Sequence, residues 1–202
     1  MPRPLERAAS VAGQLAMIAV GAYLGLQAEQ WREDRSKAQL ARTTLRNFRE
    51  EIAANRDLLA HRLAYHEAIS ARLDSALARH ARDAGPLPFD VYDRETKLNG
   101  TQPFEPQSTA YDLAVATQAL GELPTRLALR LSRLYTYQQG TAAGAAQLNQ
   151  AVINALPTPR GDASRLLMVL SDGMTGVRSR ERVLLGGYGT LLTALDSALA
   201  RR

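Results

Sequence analysis

Cysteine is absent from the 202 residues, which excludes a disulfide framework, thiolate catalysis, zinc ribbons and iron–sulfur ligation. Aromatic residues are scarce at 5%, too few to build a stacking platform for single-stranded nucleic acid. Lysine is nearly missing: Lys37 and Lys97 are the only two, so arginine carries the formal charge of +5. With the high alanine content, this arginine bias reads as the composition of a GC-rich genome. Two arginine groups stand out, Arg42, Arg46 and Arg49, and Arg178, Arg180 and Arg182. Each is interleaved with or followed by acidic residues, so each reads as a solvated helix face, and no nucleic-acid partner is expected. The membrane-proximal arginines have a second reading, as contacts to anionic lipid headgroups if that side is cytoplasmic. Strand alternation with β-branched enrichment is missing throughout, and the fold class is therefore all-α.

One long uncharged run is present. From Ala8 to Ala28 the chain reads AASVAGQLAMIAVGAYLGLQA, and a helix of that length spans about 31 Å, close to the thickness of a bilayer's hydrocarbon. A lipid bilayer is thus the first expected partner. Trp31 follows where an interfacial aromatic anchors a membrane helix. The rival reading is a cleaved signal peptide, with Arg3 and Arg7 as its basic start and Val20-Gly21-Ala22 as its cleavage site. Against cleavage, the residues after Ala28 are strong helix formers without proline or glycine, which predicts a helix running straight out of the membrane. Gly13, Gly21 and Gly25 fall on a four-residue repeat of small residues that would let two membrane helices approach closely, making a homo-oligomer or a membrane-protein partner possible. Counting basic residues alone places the following domain inside the cell.

The remaining chain, residues 29–202, reads as one helical bundle domain after an anchor at 1–28. Apolar residues recur at helical spacing from Leu45 to Leu77, predicting a helix over 29–83. A turn-rich stretch opens at Gly85-Pro86-Leu87-Pro88 and predicts a loop over 84–106. A short helix is expected over 107–120, with Thr109 and Asp112 at capping-box spacing and Gly121 as its C-terminal cap. Pro124 suits the first turn of a helix over 123–156, whose seam reads Leu127, Leu131, Leu134, Gln138, Thr141, Ala145, Leu148 and Val152. The last helix, 162–201, has the cleanest seam, Leu167, Leu170, Met174, Val177, Glu181, Leu184, Tyr188, Leu191 and Leu195, broken only by Glu181. Three long helices with one apolar seam each predict an elongated antiparallel bundle, continuous with the N-terminal transmembrane helix and carrying one short helix on its side.

Several residues together resemble a family of bacterial single-pass membrane proteins of uncharacterised function. The matching features are Gln27, Trp31 and Glu33; then Leu45, Phe48, Glu51 and Asn55; then Phe104, Pro106, Ala110, Tyr111 and Leu113; and finally Leu127, Leu131, Leu134 and Tyr135. The resemblance implies an anchor in the bacterial inner membrane with the bundle outside the cytoplasm, and it carries over no catalytic residue.

No convergent chemistry is evident. His61, His66 and His80 lie on one predicted helix too far apart around and along it to share a metal, and they read as solvated or half-buried, with a site assembled with carboxylates from another helix as the alternative. Glu50-Glu51 and Glu33-Asp34 point to different sides of a helix and form no acid–base couple. The uncharged run from Leu134 to Pro159 carries six amide side chains, which makes it a buried bundle helix in preference to a second membrane span. Its Ala/Gly centre, Thr141 to Ala146, permits close helix approach inside the bundle or across an oligomer; a small-molecule pocket at Tyr135, Gln138 and Thr141 is the remaining reading. No catalytic, cofactor-binding or metal residues are assigned. The expectation is a non-enzymatic, membrane-anchored scaffold or protein-interaction module, with an extracytoplasmic ligand-sensing bundle acting through a partner subunit as the alternative.

Overall fold

The computed structural model describes residues 4–83, 85–97, 99–156 and 161–201. They form five α-helices: α1 (Pro4–Asp83), α2 (Phe89–Thr96), α3 (Thr109–Ala116), α4 (Thr125–Ala155) and α5 (Ser164–Ala200), with a 3₁₀ turn at Ala119–Glu122 between α3 and α4. Among the described residues there is no strand; the one β-type pairing is an isolated bridge between Pro88 and Asp162. The class is all-α.

The 80 residues of α1 form one uninterrupted helix, about 120 Å long at 1.5 Å per residue. Absence of proline and glycine from Glu29 to Asp83 gives the backbone no reason to stop. Its C-terminal part packs along α5. Arg49 meets Asp196, Glu67 meets Arg182 and Asp74 meets Ser171, so partner numbers fall along α5 as they rise along α1 and the two helices run antiparallel. α4 is antiparallel to α5 as well, with Gln138 beside Tyr188 and Gly140 beside Arg180.

The seams do the packing. Leu45, Phe48, Ile52 and Leu59 of α1 meet Leu127, Leu131 and Tyr135 of α4 and Leu184, Tyr188, Leu191 and Leu195 of α5 in one apolar core. A second core joins Ile69, Leu73 and Ala76 of α1 to Leu148 of α4, Leu166, Leu167, Leu170, Met174 and Val177 of α5, and Tyr92 of α2. Each fully buried side chain of this size contributes about 1.5–3 kcal/mol relative to exposure.

Three expectations need correcting. The predicted loop 84–106 contains a helix, α2: Pro88 sets the extended entry, Phe89 and Tyr92 stack at 5.7 Å, and Tyr92 is buried in the second core. The bundle therefore carries two short helices where one was expected. The short helix expected over 107–120 ends at Ala116, because Gln118 takes a left-handed conformation at φ 57° and the chain re-forms as a 3₁₀ turn. Gly121 is not its cap. At its start Ser108 donates to Asp112 at 2.8 Å, while Thr109 already lies inside the helix.

The beginning of α1 stands apart from the bundle. Met17, Val20, Tyr23, Leu24, Leu26 and Trp31 are all 57–74% exposed. By length and composition, α5 is the one helix among the described residues long and apolar enough to cross a membrane. Its apolar stripe is the bundle's own seam, from Leu166 to Ala198.

Candidate functional site

Between the two apolar cores lies a layer of buried polar side chains. The first core ends at Leu59 on α1 and at Leu184 on α5, and the second begins at Ile69 and Val177. His66 and Glu181 occupy the gap, with 1% and 0% exposure. Nδ1 of His66 lies 3.0 and 2.9 Å from the two carboxylate oxygens of Glu181, and Nε2 lies 2.8 Å from the Thr101 carbonyl. Both ring nitrogens thus face acceptors. A neutral imidazole has one donor only, so the geometry calls for an imidazolium against a carboxylate, or the equivalent shared proton. Burial by itself pushes the His66 pKa down, but the hydrogen bond and charge of Glu181, with backbone hydrogen bonds at Thr101 and Gln102, raise it above the ordinary value.

A second set of polar side chains sits within the first core. Glu51 accepts from the Tyr135 hydroxyl at 2.6 Å and from the backbone N–H of Ala110 at 2.8 Å. Ala110 is in the first turn of α3, so the carboxylate satisfies one of that helix's free N–H groups and lies at its positive end. Burial, and then the Glu51 hydrogen bond and charge, raise the Tyr135 pKa far above that of a free phenol. Asn55 grips the backbone of Gln107 from both sides, donating to its carbonyl at 2.8 Å and accepting from its N–H at 2.9 Å. Gln138 donates to the same carbonyl at 3.0 Å and accepts from the Tyr188 hydroxyl.

Together these side chains fasten residues 99–110 between α1 and α4. Tyr65 donates to the Gly100 carbonyl and accepts from the Asn99 N–H; Thr101 donates to Asn149; Arg62 donates to Gln102. The strap needs fastening, because Gly100 (φ 68°) and Gln102 (φ 43°) within it, and Lys97 (φ 46°) at the end of α2 just before it, are left-handed, a conformation that costs a non-glycine residue roughly 1–3 kcal/mol. Phe104 fills the first core from the same segment.

A similar clasp closes the far end. Asp162 accepts from Leu87 N–H at 2.9 Å and from the N–H and hydroxyl of Ser164, and Ser164 in turn meets Nε2 of His80 at 2.9 Å. The Ser164 hydrogen bonds, chiefly that of its hydroxyl, hold the Asp162 carboxyl below its usual range.

The polar side chains just described are engaged with one another and with backbone, whereas the buried Ser70 hydroxyl and Arg178 Nε have no hydrogen-bond partner among the described residues. The hydrogen bonds of Glu51, His66 and Glu181 all lie inside the protein and tie α1 to α3, α4, α5 and the segment at Thr101. No group of three or more His, Asp or Glu side chains with metal-holding geometry occurs among the described residues. Tyr135, Gln138 and Thr141, read from sequence as a possible pocket lining, are buried at 1–3% exposure and engaged with Glu51, with Asn55, Gln107 and Tyr188, and with the Tyr137 carbonyl, respectively. His66, read as solvated or half-buried, is a core residue. Glu181, the apparent break in the α5 seam, stays on the buried face and is its electrostatic centre.

The residues expected to act at a membrane lie away from this layer. Gly13 falls outside the residues whose side chains are described. Gly21 and Gly25 are exposed, and a Cβ placed on either would meet nothing within 4 Å. Trp31 is exposed beside the Arg35 guanidinium, which lies 4.4 Å from its ring centroid. No family model matches the chain, and neither a curated protein nor a solved structure matches it.

Proposed function

We propose that this chain is a single-pass, membrane-anchored helical bundle without catalytic activity, which presents its bundle outside the cytoplasm of a bacterial cell as a scaffold or protein-interaction module. The observation that carries the reading is the apolar start of α1. An uncharged stretch continuous with the bundle helix leaves Met17, Val20, Tyr23, Leu24 and Leu26 with most of their surface uncovered. Removing that surface from water is worth about 25 cal/mol per Å², and a bilayer of matching thickness is the environment that does so. α5 suits this role less well: putting its stripe into lipid would strip it from α1 and α4 and expose the Glu181–His66 pair to hydrocarbon.

In this reading α1 is at once anchor and lever, Trp31 sits at the interface, and Gly21 and Gly25 face a neighbouring membrane helix. The resemblance to single-pass membrane proteins favours the same arrangement. C-terminal fusions to a reporter active only in the periplasm and to one active only in the cytoplasm, with carbonate extraction of membranes, test it. Retention in the extracted pellet with periplasmic activity supports the proposal; release into the supernatant overturns the anchor, and cytoplasmic activity overturns the orientation.

A ligand-sensing bundle acting through a partner subunit is the second reading. One observation favours it: an open cavity of about 570 Å³ lined by Ser132, Arg133, Thr136, Tyr137, Gly140 and Arg180.

A further inference from the structure

The face of the bundle where α4 and α5 lie side by side is a groove. The cavity at Arg133 and Arg180 shares Arg133 and Tyr137 with a second hollow of about 310 Å³ that reaches Arg130 and Val183. It shares Arg180 with a third hollow of about 310 Å³ that reaches Gly173 and Ala151. From Arg130 to Ala151 the groove runs 21 residues of α4, about 31 Å.

Its charge is one-sided. α4 contains no aspartate or glutamate. On α5, Glu181 is consumed by His66 and Asp196 by Arg49, and the remaining acid, Asp172, lies next to Gly173 at the end of the groove away from Arg130 and Arg133. Arg130 and Arg133 have no ion-pair partner among the described residues, and Arg180 makes one long hydrogen bond, at 3.4 Å, to the Gly140 carbonyl. Exposed Tyr137 and Val183 supply apolar surface between the guanidinium groups. At Gly140 and Gly176 an added Cβ would meet nothing within 4 Å, so no packing inside the chain requires glycine at these helix-interior positions.

We propose that this groove binds an acidic amphipathic helix of a partner protein, with carboxylates on Arg130, Arg133 and Arg180 and an apolar stripe over Tyr137, Val183 and the glycine floor. Length favours a helix over a compact metabolite, because three connected shallow hollows fit a rod lying between two helices. Charge disfavours a second copy docking through the same face, since a two-fold pairing would set arginine against arginine. The proposal names the surface used by the interaction module proposed above, but it does not depend on the membrane anchor.

The test uses the full chain in detergent micelles and a fluorescent model helix of about 21 residues, with a glutamate stripe beside a leucine/alanine stripe. Expected are saturable binding, weakening as salt rises, and loss on the order of tenfold or more in the Arg133→Glu/Arg180→Glu variant. A Gly140→Leu/Gly176→Leu variant fills the floor from outside the core. It is expected to keep or raise its unfolding temperature and still lose binding, which separates groove blockage from misfolding. Absence of saturable binding, binding unchanged by either variant, equal binding of a lysine-for-glutamate helix, or competition by inorganic phosphate or citrate at equal charge would overturn the proposal; the last outcome marks a small-anion site. A crosslinked oligomer in membranes alongside any of these negative results leaves the interaction-module reading standing on another surface.

Discussion

His66 on α1 and Glu181 on α5 meet through both carboxylate oxygens, at 3.0 and 2.9 Å, in the layer that separates the bundle's two apolar cores. Neither has appreciable contact with water. Such a pair is a poor source of net stability, because two desolvation penalties offset its attraction, but breaking it leaves one charge buried alone. Its position suits a register device: sliding α5 by one turn along α1 would bury Glu181 without the imidazolium.

Glu181→Leu and His66→Leu are each therefore expected to destabilise the bundle by about 3–5 kcal/mol. The double replacement His66→Leu/Glu181→Leu is expected to cost far less than the sum of the two single changes. Urea denaturation of all four species closes the cycle. Simple additivity would show that the two side chains do not act as a pair.

The same pair makes stability depend on pH. The His66 pKa is raised in the fold, so its contribution is fully present below the unfolded value of about 6.5 and is lost as pH rises through the higher folded value. The stability difference between wild type and His66→Gln is expected to shrink from pH 6.5 upward. The slope cannot exceed about 1.4 kcal/mol per pH unit for one proton. Denaturation midpoints of both proteins between pH 5.5 and 9 measure it, and a difference that grows with pH contradicts the assignment.

Two buried tyrosines should respond differently to loss of the hydroxyl. Tyr135 donates to the Glu51 carboxylate, whereas Tyr188 donates to the neutral Gln138 amide. Hydrogen bonds to charged groups contribute about 1.5–3 kcal/mol and neutral ones about 0.5–1.5. Tyr135→Phe is expected to be the more damaging change in chemical denaturation.

Neighbouring glycines of α5 should give opposite signs. An added Cβ at Gly173 would overlap the Leu148 side chain, whereas at Gly176 it would meet nothing. Gly176→Ala is expected to raise stability by up to about 1 kcal/mol through helix propensity. Gly173→Ala is expected to lower it by about 1–3 kcal/mol as Leu148 is displaced. Thermal unfolding followed by circular dichroism distinguishes them.

A charge in the exposed part of α1 tests attachment without touching the bundle. Val20→Arg places a cation near the middle of the uncharged run, where insertion costs about 2.5–3.5 kcal/mol. Carbonate-resistant membrane association is expected to fall. The unfolding temperature of the bundle should stay unchanged, because Val20 lies outside both cores.

The all-α class and the composition of the α5 seam are legible in the sequence, because a helix repeats every 3.6 residues and one buried face leaves a periodic trace. Every seam position from Leu167 to Leu195, Glu181 included, is buried. The α4 seam is nearly as plain, although Tyr135, between two seam positions, points inward and Leu134 only partly. α2 escaped because two turns of helix are too short for periodicity to outweigh flanking prolines. The polar layer escaped for a different reason. Glu51 and Tyr135 are 84 residues apart, His66 and Glu181 are 115 apart, and no local pattern encodes a partner at that distance. Local spacing determined which faces are apolar and where the chain carries a long uncharged run. Only the tertiary arrangement, by bringing three helices and the 99–110 strap within hydrogen-bond reach, decided that a histidine and two glutamates belong in the interior and that three arginines share one groove.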